Sequence, residues 1–206
     1  MTSMNPIAIL THALRRSWEE WISVILISTA WLAAQVLVVP GPPATAMLFA
    51  MARRTQDGEY WSGADAWGAF RACFWPAWKW AVPNILVIGL ATYNLSTFWN
   101  VPGAFWNISR VVWFLGLLIW LGLNLFYWPF WLRASEPSMR TTYANCARFW
   151  LFHPGTAVVL YLVCLVVGLV CLPFALPIVL GIVFWIALVA EVAVRLSLER
   201  ANQTHA

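Results

Sequence analysis

The chain has 206 residues, of which 62% are hydrophobic and 10% charged; mean hydropathy is +0.74 and formal net charge +4. A soluble domain carries nearer a quarter charged residues, so this composition excludes a single soluble domain. The basic excess does not point to nucleic acid. The twelve Lys and Arg are dispersed between apolar runs and read as topology determinants facing anionic lipid.

The runs are long. No charge falls in the 32 residues between Glu20 and Arg53, the 30 between Lys79 and Arg110, the 22 between Arg110 and Arg133, or the 42 between Arg148 and Glu191. A hydrocarbon slab about 30 Å thick selects stretches of roughly 20 apolar residues. The expected fold is therefore all-α, a polytopic membrane helical bundle forming one integral domain over 1–206.

In chain order, residues 1–20 form a lead in which Ile7, Leu10, Leu14 and Trp18 recur at helical spacing, predicting a helix on the membrane surface. The first span is 21–39. Its flanks lack the form of a cleaved leader, because the run exceeds an h-region and Glu19 and Glu20 precede it. Pro40, Gly41, Pro42 and Pro43 then stop the helix. A short helix over 43–54 ends at Arg53 and Arg54; it rises only about 16 Å and is expected to return toward the side it came from. Ser62 and Asp65 predict a capping box that opens an interfacial helix with Trp67, Phe70, Phe74 and Trp78 on one face. Full spans follow over 79–98 and 111–132. Met139, Tyr143, Cys146 and Trp150 mark a second interfacial helix, ended by Pro154. The last spans are 156–172 and 178–196, giving five full spans, one short one and two interfacial amphipathic helices. Segments opening at Arg71 and at Cys146 share a few residues, which raises a parallel repeat of an interfacial helix and two spans. Many of the sixteen tryptophans gather at span ends, as an aromatic girdle does.

No catalytic or cofactor motif is present, and His12, His153 and His205 are never spaced as metal ligands. The four cysteines show no disulfide pattern and read as packing residues. Polar residues inside apolar spans are the remaining candidates: Gln35, Asn84, Asn124 and Glu191. The amides suit cross-bonding between helices. Glu191 has Arg195 four residues on, in the favourable order for a helix pair, with a proton relay as the rival role. The turn over 40–46 offers two readings. Ala46 and Ala50 form a small-residue packing face toward the second or third span, or the turn lines a pathway near the polar residues.

The run from Val39 to Arg54, with Pro40-Gly41-Pro42-Pro43 and an alanine-rich helix ending in two arginines, resembles the YesL-like family of bacterial membrane proteins. The likeness continues through Asp57-Gly58-Glu59 and Trp67 to Arg71. It implies a bacterial cytoplasmic membrane location and association with carbohydrate uptake, with no established chemistry. The expected function is a non-enzymatic accessory or scaffold, partnered by the lipid bilayer and by a membrane protein such as a sugar-uptake permease. The alternative is a small transporter or channel with a polar site near 40–46. Both termini are expected in the cytoplasm, since that arrangement leaves Arg110 as the lone basic residue outside.

Overall fold

The computed structural model describes residues 5–171 and 173–204; Leu172, the expected end of one span, and His205 lie outside them. Among the described residues the regular elements are eleven α-helices and no strand, so the all-α expectation holds.

Three capped surface helices divide the chain into three successive units. Helix α1 (Pro6–Glu19) begins where the Asn5 side chain accepts from the Ile7 N–H, with Pro6 at a position whose missing donor costs nothing. Helix α4 (Gly63–Ala72) begins at Ser62, which forms the expected reciprocal capping box with Asp65. Helix α8 (Met139–Phe152) begins at Ser138, whose hydroxyl accepts from the Thr141 N–H. One residue (Glu20, Cys73 or His153) separates each surface helix from a longer one: α2 (Trp21–Val36), α5 (Phe74–Thr97) and α9 (Pro154–Cys171). A proline-containing turn then leads back through α3 (Gly41–Asp57), through α6 (Ala104–Leu125) and α7 (Tyr127–Arg133), or through α10 (Ala175–Val179) and α11 (Ile182–Thr204).

The returning helix α3 differs from expectation in length and in place. It runs 17 residues, about 25 Å, rather than the twelve of 43–54. Prolines at its first positions do not break it, and Gly58, at φ +79°, supplies the left-handed C-cap. It packs against α2, α4, α5, α7 and α11, and most of its residues are buried, Ala46 completely and Ala50 in part. Its most extensive packing is on α11, then on its hairpin mate α2 and on α4 alike, and it also packs on α5, which carries the expected second span. The antiparallel register is fixed by three bonds. Thr55 donates to Glu20 at 3.1 Å, Trp31 to Thr45 at 3.0 Å, and Gln35 to the Gly41 carbonyl at 3.0 Å.

Two further boundaries shift. The expected span 111–132 starts earlier and breaks at Phe126, where Pro129 cannot donate to the carbonyl of Leu125. The expected span 178–196 breaks at Gly181, at φ +103°. There an added Cβ would lie 2.2 Å from Val24 Cγ1, so only glycine allows this approach to α2. Ala104–Arg133 (30 residues, mean hydropathy 1.8) and Pro154–Cys171 (18 residues, 2.4) are long and apolar enough to cross a bilayer. The apolar α2 is shorter, at 16 residues.

The apolar stripes of α8 and α1 face differently from one another. In α8, Thr142, Cys146 and Phe149 are buried and Tyr143 and Trp150 half-buried, so the expected lipid-facing residues face inward. In α1, Ile9 and Ala13 are buried, leaving Ile7, Leu14 and Trp18 outside. The buried core is centred on α3, α7 and α11, with Tyr127, Trp128 and Phe184 among its largest side chains.

Candidate functional site

The polar residues of the apolar segments gather into three groups. The first joins α5, α6 and α8. Trp80 donates to Asn124 Oδ1 and Trp120 donates to Asn84 Oδ1, each at 2.8 Å. Each amide nitrogen turns back to its own helix, Asn84 to the Trp80 carbonyl at 2.7 Å and Asn124 to the Trp120 carbonyl at 2.8 Å. The two halves are the same Trp-x-x-x-Asn spacing on antiparallel helices, so the bonds are reciprocal. Tyr143 closes the ring from α8, donating to Asn124 Oδ1 at 3.0 Å and accepting from Asn84 at 3.4 Å. Burial raises the Tyr143 pKa, which keeps the phenol a donor. Sequence reasoning named the two amides but missed Trp80, Trp120 and Tyr143; the repeated spacing was the available signal.

The second group is charged. Glu191 is fully buried on α11 and accepts two bonds on Oε2 from Arg133 of α7, at 3.2 and 3.0 Å. This corrects the expected Glu191–Arg195 pair. Arg195 turns the other way, donating to Glu199 at 2.7 Å and to the Gln56 carbonyl at 2.9 Å, and it lies 3.4 Å from Asp57. Asp57 also meets Arg133 and Arg53, each at 3.6 Å, and Arg53 donates to the Leu132 carbonyl. The cluster ties the ends of α3 and α7 to the middle of α11. Among the described residues, Glu191 Oε1 and Gln56 Oε1 have no hydrogen-bond partner.

The third group is the turn. Gln35 donates to the Gly41 carbonyl and, at 3.2 Å, to Thr45, whose hydroxyl also takes the Trp31 indole. An added Cβ on Gly41 would sit 2.8 Å from Gln35 Oε1. Trp78 of α5 donates to the Val39 carbonyl at 3.2 Å. Val38 holds φ +62°, a conformation that a β-branched residue rarely adopts.

These groups do not converge. The amides, the turn and Glu191 each bond within their own neighbourhood. Two shallow depressions of about 540 and 640 Å³ lie elsewhere, beside Thr92 and Trp99 and beside Thr11 and Trp18, and neither is lined by a candidate residue. Among the described residues no group of three His, Cys, Asp or Glu could hold a metal ion. Burial pushes the Cys146 thiol up to about 12, leaving it protonated and unreactive. The arrangement can lock helices together; it contains no nucleophile with a base beside it. No protein-family model, curated protein or solved structure matches the chain.

Proposed function

We propose that this chain is a multi-pass protein of a bacterial cytoplasmic membrane and a YesL-like protein. It acts without catalysis, as an accessory or scaffold beside a carbohydrate-uptake permease. In this reading α2, α5, α6 with α7, α9 and α11 are the five spans, α3 is the returning helix, and both termini are cytoplasmic. The membrane placement is supported by apolar side chains that a water-soluble protein would bury. On α6, Val111, Val112, Leu115 and Ile119 are at least half exposed, and on α9 so are Val166, Leu169 and Val170. Only 22% and 28% of the two most apolar windows are buried in the protein.

The observation that carries the scaffold reading is the closed Trp80–Asn84–Trp120–Asn124–Tyr143 ring. Its amide oxygens take the indole of the facing helix and its amide nitrogens a carbonyl of their own, which leaves no open polar wall for a passenger. The carbohydrate partner rests on the resemblance of residues 39–71. Crosslinking in native membranes, followed by purification and identification of bound proteins, tests it. The expected capture is a subunit of a sugar permease. Sugar flux through proteoliposomes of the purified chain, lost on Asn84→Leu or Asn124→Leu, would instead establish a transporter.

A further inference from the structure

Most cations of this protein fall into two kinds. Arg15, Arg16, Arg53, Arg54, Arg133 and Arg195 are all engaged by carboxylates. Arg71, Lys79, Arg140 and Arg148 are exposed and take part in no hydrogen bond or ion pair among the described residues. These four are not scattered. Arg71 and Lys79 belong to the run Trp67, Arg71, Trp75, Lys79, an exposed residue every fourth position through α4 and into α5, alternately aromatic and cationic. Arg140 and Arg148 stand eight apart on the outer face of α8, which continues into Leu151 and Phe152, 78% and 72% exposed. Neither α5 nor α8 contains an acidic residue, and Asp65, the one in α4, is taken by Ser62 and Arg54.

We propose that the outer faces of α4, the start of α5 and α8 form a binding surface for the headgroups of anionic phospholipids. This rests on the membrane reading above. Cations without an internal partner beside an exposed indole or phenyl match the layer where phosphates meet acyl chains. Indoles settle at headgroup depth, and guanidinium or ammonium groups donate to the phosphate oxygens. Alternating tryptophan and cation also fits stacked single-stranded nucleic acid. The α8 face favours lipid, because Leu151 and Phe152 lead directly into apolar α9, surface that acyl chains cover and a polynucleotide leaves in water.

The test uses the full chain in detergent, given phosphatidylglycerol or phosphatidylcholine with the same acyl chains, with retained lipid counted by native mass spectrometry and the thermal midpoint recorded. Phosphatidylglycerol should be retained preferentially and should raise the midpoint, with both effects weakening as salt rises. The variant R71Q/K79Q/R140Q/R148Q should lose that preference while keeping its midpoint in phosphatidylcholine. Each cation near an anionic surface is worth roughly fivefold, so the combined loss should exceed about a hundredfold. Equal retention of both lipids by the natural chain overturns the proposal, as does a folded variant that keeps the preference, or tighter binding of an oligonucleotide than of lipid. If the variant does not fold, the lipid comparison and salt titration on the natural chain decide alone. Sedimentation with cell membranes separates the two readings. A chain that stays with membranes but ignores headgroup charge sinks this proposal only; a chain that leaves them at high salt sinks the membrane reading itself.

Discussion

Arg133 is the residue on which the end of α7 depends. Its side chain is 15% exposed and faces a carboxylate buried entirely from solvent, so removing either partner strands the other in a poorly solvated place. Glu191→Leu should lower stability by about 3 kcal/mol, near the bottom of the range for a broken buried pair because Asp57 remains beside Arg133. Arg195→Gln, at a site 37% exposed, should cost less than about 1 kcal/mol. Melting in detergent ranks the two; equal losses would mean that Arg195, as the helix spacing suggested, carries Glu191 after all. That spacing was legible and misleading. Arg133 lies 58 residues away along the chain, and only the packing of α7 on α11 brings it closer than the neighbour one turn on. Val38 was equally hidden, since nothing in a valine announces positive φ. Val38→Gly relieves about 1–2 kcal/mol of left-handed strain against roughly 0.5–1 kcal/mol of added chain entropy. A slightly higher midpoint is expected, and a lower one would show that the valine side chain has a partner.

At the scale of elements, what was local was readable. Ser62 caps α4 as its sequence predicts, and the same bonds hold Asp65 down to about 2 from its ordinary value near 4. The Ser62 hydroxyl is the main cause, then the Ser62 N–H, then Arg54. A carboxylate lowered in the folded state stabilises above its ordinary pKa and ceases to as pH falls through the folded value. Helical signal from α4 should therefore decline between about pH 4 and pH 2 in the natural chain. In Asp65→Asn the same window should be flat by circular dichroism. The breaks at Phe126 and Gly181 were less readable, because a charge-free run shows length and not continuity; Pro129 was the overlooked mark of the first. Contacts between elements were not readable at all. Trp150 of α8 lies over Gly122 of α6, where an added Cβ would come within 2.6 Å of the indole, and it donates to the Gly122 carbonyl at 3.3 Å. Gly122→Ala should cost about 1–3 kcal/mol as an overpacked contact, measured by melting. Trp150→Phe combined with it should recover part of that loss if the indole is what the methyl strikes.

At the scale of the whole molecule, each of the three units runs out along one long helix and back along the helices that follow. The α2–α3 hairpin returns Thr55 to hydrogen-bonding distance of Glu20, and the α5–α6 hairpin holds Phe98 against Trp106 with ring centroids 4.5 Å apart. At the tip of the second hairpin, Arg110 donates to the Phe98 and Val101 carbonyls and to Asn107. The single cation of that end is thus consumed by its own turn. Among the described residues, the cations without an internal partner (Arg71, Lys79, Arg140 and Arg148) sit on α4, α5 and α8 near the opposite end of their hairpins. Under the proposed reading, with α3 counted beside the five spans, the positive-inside rule expects the surface helices and both termini on the cytoplasmic side. Fusions of a fluorescent protein and of a periplasmically active phosphatase at each end test this directly. Fluorescence without phosphatase activity is expected at both. Phosphatase activity at the N-terminus alone would require an odd number of crossings and would overturn the five-span reading together with the returning helix.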